Sequence, residues 1–483
     1  MWPSLASTVT PLVPPPRPIP GSYGLPLVGP LKDRLDYFWL QGPETFFRSR
    51  MASHRSTVFR TNMPPTFPFF INVDPRVVAV LDTSSFAALF DPSLVDKRNV
   101  LIGHYMPSLA FTGDTRVVVY LDTSEPTHAK VKSFCLDLLR RSSRVWVREF
   151  LSNFRAMLDG IESDLLSGKS SSGFLVALQK CIFAFLSKSI VGADPAADPR
   201  VGEFGHILLD KWLALQLLPT IKVGAIPQPL EELLLHSFAF PFALVSGDYR
   251  KLYDFVEKQG QEVVRMAQDE YGLKKEEAIH NILFVLGFNA FGGFSVFFPS
   301  LITTIGRDKS GLRSKLKEEV RRVMKSRGDG SEMGFEAVKE MELVRSTVYE
   351  VLRLNPPVPL QYGRARRDFV LRSHDTAFQV SKGELLCGYQ PLAMRDPEVF
   401  ENPETFVGTR FMGNSGKELL KYLYWSNGPE TGKPTADNKQ CAAKDYVVET
   451  ACLMVAELFN RYDEFECDDN AMSITKLEKK GIL

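Results

Sequence analysis

The six cysteines offer no pairing. Cys135, Cys181, Cys387, Cys441, Cys452 and Cys467 form no C-x-x-C and no zinc-ligand spacing. That argues against a zinc module and reads as reduced thiols in a non-secretory compartment. Charge of one sign is missing too: 58 Lys+Arg face 57 Asp+Glu, a net +1, so no nucleic-acid partner is expected. A long N-terminal apolar run is absent, which argues against a signal peptide or anchor helix there. Residues 1–31 carry no acid, one Arg and several Ser/Thr, and come nearest to an organelle transit peptide. Repeats and long linkers are absent as well. The simplest division is a Pro-rich segment, 1–22, ahead of one catalytic domain, 23–483.

One long stretch lacks formal charge altogether, Asn281 to Gly306. It is long enough to span a bilayer. It also holds Asn289, Gly287, Gly292, Gly293 and Pro299, with Glu276 and Glu277 one turn before it and Arg307 after it. A helix apolar all round also crosses the middle of a large globular core, and that is the expectation here. Helical periodicity dominates from about Glu125 to Arg353, broken at Ser167–Gly173, Gly192–Arg200 and Arg327–Gly334. Short strand-like runs, Thr57–Arg60 and Arg76–Leu81, lie before it. Proline and short alternating runs fill 356–411. The fold class is mainly α with a small β portion (α+β).

What is present centres on Cys441, in Asn438-Lys439-Gln440-Cys441-Ala442-Ala443-Lys444. An amphipathic helix follows at roughly 442–461, with Val447, Val448, Ala451, Cys452, Val455, Leu458 and Phe459 at spacings of three and four. A cysteine just before a helix faces unpaired N–H groups and the positive dipole end, which favour a thiolate. Such a thiolate suits haem iron as an axial ligand. Taken alone, one cysteine reads sooner as a buried, inert thiol.

Other residues bear on that choice. Glu350 and Arg353 stand three apart on one helix face before Asn355-Pro356-Pro357-Val358-Pro359, and Arg410-Phe411 follows. Glu350, Arg353 and Arg410 fit a buried, fully paired ion network under a cofactor. Lys439 is placed to reach an anionic edge of haem. His128 and Lys132, four apart on a helix opened by Ser124-Glu125-Pro126, are placed likewise, and Lys97 is a further candidate. Within Gly287–Gly293 the only polar side chain is Asn289.

Together these features resemble the cytochrome P-450 superfamily over nearly the whole chain. The resemblance implies a long central helix and a Cys-ligand loop flanking a buried haem b, with Cys441 as metal ligand. Two departures stand out. The usual Phe-x-x-Gly-x-Arg-x-Cys-x-Gly loop is interrupted here, because Pro429 through Asp437 separate Trp425-Ser426-Asn427-Gly428 from Cys441, and Ala443 replaces the second glycine. The central helix also lacks the acid–alcohol pair that relays protons to dioxygen. Asn289 hydrogen-bonds but is no useful acid. A haem-thiolate enzyme that does not process dioxygen can take a substrate already holding an O–O bond, and then needs no NADPH, reductase or other redox partner.

The chain is further similar to the plant fatty acid hydroperoxide branch. Tyr23–Pro30, Arg34–Phe38, Ser124–His128, Phe288–Gly293 and Asn438–Cys441 carry that likeness. It implies that Lys97, His128, Lys132, Lys439 and Cys441 hold the haem and that Asn289 touches the hydroperoxide. It also implies a pocket of Leu101, Val119, Phe288, Phe291, Ser295 and Val358. Branch members share homolytic O–O cleavage. A lyase then lets the carbon radical rearrange to a hemiacetal, which falls apart to a short aldehyde and an ω-oxo acid. Allene oxide synthases tend to carry an aromatic at Leu101, favouring a cation, a basic residue at Ser295 and a hydroxyl at Val119. All three differences point to a lyase, with the 13-hydroperoxide as the implied substrate. Allene oxide synthase and divinyl ether synthase stay open within the branch. An NADPH-dependent monooxygenase and a non-catalytic haem-binding protein stay open outside it. Kinship implies a plastid, otherwise the cytoplasm, and a lipid substrate makes peripheral membrane association an expectation.

Overall fold

The computed structural model describes residues 15–481, apart from 67–69, 71, 225, 329 and 375. Residues 1–14 of the Pro-rich segment lie outside the described residues. The helical body follows the apolar periodicity. A helix of 41 residues, Pro126–Leu166, opens on a proline that has no N–H to leave unpaired. Its Glu125 does not cap it, pairing instead with Arg116. The helix buries Val131, Phe134, Leu138, Trp146, Phe150, Phe154, Leu158 and Ile161 along one stripe, each such side chain contributing about 1.5–3 kcal/mol.

The uncharged stretch forms the core helix, Lys275–Gly306, long and apolar enough to cross a membrane but mostly buried inside the fold. It is α-helical over Lys275–Phe284, widens to a π-helix over Val285–Phe291, and is α-helical again over Gly292–Gly306. The helix Gly205–Leu217 lies tight against the widened part. A Cβ on Gly287 would stand 2.7 Å from Leu209 and 2.9 Å from Trp212, and one on Gly292 would stand 2.8 Å from Leu213. Two glycines therefore permit that close approach.

Five strands form the main sheet: β1 (Val58–Asn62), β2 (Arg76–Val80), β3 (Val95–Asp96), β4 (Leu360–Ala365) and β5 (Leu385–Tyr389). Their order is β1-β2-β5-β4-β3, with β2 and β5 parallel and the other pairs antiparallel. A small aromatic core, including Phe38, Phe46, Phe47 and Phe59, packs on this sheet apart from the main one. Because β3 ends at Asp96, the sheet delivers Lys97 to the centre. The helix Lys444–Arg461 follows the cysteine and buries Val448, Ala451, Cys452, Val455, Leu458 and Phe459, packing beside the helix Glu342–Leu354.

Candidate active site

Cys441 is held at both of its peptide groups. Its N–H donates to the Ser426 carbonyl at 2.8 Å, and its carbonyl accepts the Lys444 N–H at 3.1 Å. Neighbouring Gln440 donates from its side chain to Ser426 Oγ (3.1 Å) and to the Pro429 carbonyl (2.7 Å). The insertion folds over that amide so closely that a Cβ on Gly432 would stand 2.7 Å from it. The sequence leads one to expect a lowered thiol pKa, but burial pushes the Cys441 thiol up. Lys132, the Ala443 N–H and Lys444 pull the other way. Burial outweighs the helix terminus here, whereas a coordinating metal deprotonates a thiol outright.

Four basic side chains gather near this loop, Lys97, His128 and Lys132 buried and Lys439 half-buried. Lys97 Nζ donates to Asn427 Oδ1 at 2.5 Å, and Lys132 Nζ donates to the Gln440 carbonyl. Lys439 Nζ gives its protons to the carbonyls of Val118, Val119 and Leu121 at 3.0, 3.2 and 2.8 Å. Lys439 thus supplies charge to the site rather than a free donor. Neither ring nitrogen of His128 has a hydrogen bond of good geometry, although the Ala436 carbonyl lies nearby. Burial depresses Lys97 and Lys439 to about 7 and His128 to about 4. The nearby carboxylate, Asp122, is already taken by Arg366 (2.6 Å), Ser124 and the Lys97 N–H. A cavity of about 180 Å³ opens beside Lys97, Asp122, Asn427, Lys439 and Gln440. Cations whose nearby carboxylates are already held by arginines, around a histidine with only the Ala436 carbonyl beside it, fit the carboxylate edge of a haem.

On the core helix, Asn289 lies in the π-helical stretch and is exposed among largely buried neighbours. Its amide makes no hydrogen bond within the described residues. Val296, seven residues on, is also open, at 54%. Phe288 is partly buried and stacks on Phe284 at 4.7 Å, and Ser295 Oγ is buried without a partner. Phe291 has no accessible surface and packs in the main core. It does not border open space as the pocket expectation had it. Leu101 and Val119 are partly buried against the core, and Val118 N–H reaches Asn281 Oδ1 at 3.1 Å, tying that segment to the core helix. Val358 is 51% exposed on the turn before β4.

Glu350, Arg353 and Arg410 do meet. Arg353 donates to both Glu350 oxygens (2.8 and 2.7 Å) and to the carbonyls of Met394, Pro403 and Thr405. Arg410 Nε reaches both oxygens as well (3.1 and 3.0 Å). All five Arg353 donors are therefore used.

Sequence reasoning missed Asn427, Asp122, Gln440 and Glu430. Asn427 had a signal, the turn-forming dipeptide Asn427-Gly428, and its backbone is left-handed (φ 59). Glu430 had one as well, being an acid inside an insertion beside the cysteine.

Residues 309–430 match the family model described as cytochrome P450. The chain is 56% identical over 456 residues to a chloroplastic linolenate hydroperoxide lyase of Arabidopsis thaliana, covering 94% of this chain and 92% of that one. It is 56% identical to a chloroplastic fatty acid hydroperoxide lyase of Solanum lycopersicum, covering 97% and 98%. A chloroplastic allene oxide synthase of Linum usitatissimum is 44% identical, covering 98% and 86%. Among solved structures, the heme domain of a cytochrome P450 mutant superimposes with a TM-score of 0.69 at 14% identity, covering 96% of each chain. Family and fold together imply a haem-thiolate centre. The chain belongs to the cytochrome P450 family, in the branch that holds fatty acid hydroperoxide lyases and allene oxide synthases.

Proposed function

We propose that this chain is a fatty acid hydroperoxide lyase that works without dioxygen, NADPH or a redox partner. Haem b, bound through the Cys441 sulfur, would supply homolytic cleavage of the substrate's O–O bond. Lys97, His128, Lys132 and Lys439 would hold its carboxylates, trading uncompensated buried charge for ion pairs. Asn289 would hydrogen-bond the hydroperoxide and fix which oxygen approaches the metal. Leu101 offers no aromatic face to a cation, so the carbon radical is left to rearrange. Recombination of the rearranged radical with the hydroxyl left by O–O cleavage would give a hemiacetal, which falls apart to a short aldehyde and an ω-oxo acid.

The observation that carries this reading is Asn289, an unpartnered, open amide in a stretch with no acid and no hydroxyl. Proton relay to dioxygen needs one or the other. Identity of 56% to two lyases against 44% to an allene oxide synthase supports the lyase branch. The chloroplastic relatives support a plastid location. Mass spectrometry of products from the 13- and 9-hydroperoxides tests the reading. Aldehyde plus ω-oxo acid is expected, chiefly from the 13-isomer, and allene oxide derivatives alone would refute it.

Peripheral membrane association has its own support. Leu25, Leu27, Val28 and Leu40 are exposed near the start of the described chain, and Leu230, Leu233 and Leu234 are exposed on the helix Gln228–Leu234. A buried Arg34–Glu232 pair at 3.0 Å and Phe38 stacked on His236 join the two segments. Replacing Leu40 and Leu233 by Glu should weaken sedimentation with lipid vesicles, and unchanged sedimentation would exclude this face.

A further inference from the structure

We propose that Glu430 is a positioning residue for the Cys441 sulfur, acting through Trp425 and Lys444. The inference rests on Cys441 being the haem ligand. Glu430 is the second residue of the insertion, Pro429 through Asp437, whose other members are mostly polar, small or proline. Such a segment is expected to be solvated, yet Glu430 is 7% exposed. Its carboxylate is met from three sides. Trp425 Nε1 donates to Oε2 at 2.9 Å, and the Tyr349 hydroxyl donates to Oε1 at 3.2 Å. Lys444 Nζ reaches Oε1 at 3.2 Å and the Glu430 main-chain carbonyl at 2.9 Å. The Glu430 N–H is used as well, on the Leu423 carbonyl at 2.9 Å.

Each partner belongs to a different piece of the site. Trp425 immediately precedes Ser426, whose carbonyl accepts the Cys441 N–H. Lys444 opens the cysteine helix, and its own N–H donates to the Cys441 carbonyl. Tyr349 is the neighbour of Glu350 on the helix beneath. One carboxylate therefore clamps both flanks of the cysteine to the helix that carries Glu350. Lys444 has a second carboxylate in reach, Asp445 at 2.8 Å, and that one is exposed. Without the charge on Glu430 the ammonium is drawn outward to Asp445. The first helical turn then shifts, and the Cys441 carbonyl shifts with it.

The test uses full-length, haem-loaded protein carrying Glu430→Gln, Lys444→Met, or both. It reads the ferrous carbon-monoxide band, which separates thiolate from thiol ligation, together with thermal unfolding. Glu430→Gln should lower the ratio of thiolate-ligated to thiol-ligated complex about tenfold, as loss of a charged hydrogen bond does. The double substitution removes the outward pull and should restore the ratio to within about twofold of the parent. An unchanged band in Glu430→Gln would overturn the proposal. So would joint loss of band and melting temperature that the double substitution does not rescue, since that marks mere structural support. A parent protein with no thiolate-type band overturns the Cys441 reading and this inference together.

Discussion

This chain holds two buried basic clusters, one around Glu350 and one around Lys97. In the first, Arg353 and Arg410 share a single carboxylate, and a ring of carbonyls takes up their remaining donors. In the second, Lys97, Lys132 and Lys439 find carbonyl or amide oxygens but no free carboxylate, and the His128 ring makes no hydrogen bond of good geometry. A buried charge needs a counter-charge as well as hydrogen bonds. The Glu350 cluster contains its own and is architecture. The carboxylates near the Lys97 cluster, Asp122 and Glu125, are already held by arginines, so an anion brought from outside would supply the missing counter-charge.

The predictions break or sharpen that contrast. Glu350→Gln strikes the self-contained cluster and should cost about 3–5 kcal/mol of stability, because two buried guanidinium groups lose their partner. Denaturant unfolding measures it, and a loss near zero would dissolve the distinction. Lys97→Met should do the reverse in haem-free protein, raising stability by about 1 kcal/mol or more while weakening haem uptake. Unfolding of the haem-free protein and a haem titration read the two signs separately. The same cluster sets a pH trend. Folded Lys97 titrates near 7 against an ordinary 10.5, so between those values the unfolded chain binds more protons and stability rises with pH. Haem-free protein should therefore gain stability from about pH 7 upward, a gain that Lys97→Met reduces. Asn289→Ala should slow hydroperoxide consumption about tenfold with the haem spectrum kept, and an unchanged rate removes Asn289 from the site. The smallest effect expected is that of Leu101→Phe, a partial shift from aldehyde to allene oxide products. A fixed product mixture would detach Leu101 from the branch point.

Periodicity was enough to find the core helix and the cysteine helix, because apolar spacing reports burial directly. It could not show that Val285–Phe291 widens into a π-helix, since that depends on the fit against Leu209, Trp212 and Leu213. Nor could it pair β2 with β5, whose register joins Val78 to Leu386 across the chain. The buried ion network was legible because its residue types announce its chemistry, as at Glu350 and Arg353. Phe291 was misread because an aromatic near Asn289 can turn to either face of the helix, and here it turns to the core. Asn427, Gln440 and Glu430 were overlooked for another reason. They act only once the insertion folds back on the Cys441 loop, a contact that no local pattern encodes.

The central claim is that Cys441 holds a haem that takes its oxidant from the lipid. The most direct measurement follows the conjugated-diene absorbance of a fatty acid hydroperoxide in the absence of oxygen and of any electron donor. The absorbance should fall with the purified protein and stay level with Cys441→Ser. A parent protein that consumes hydroperoxide only when electrons are supplied, or a Cys441→Ser variant that still consumes it, would contradict the account.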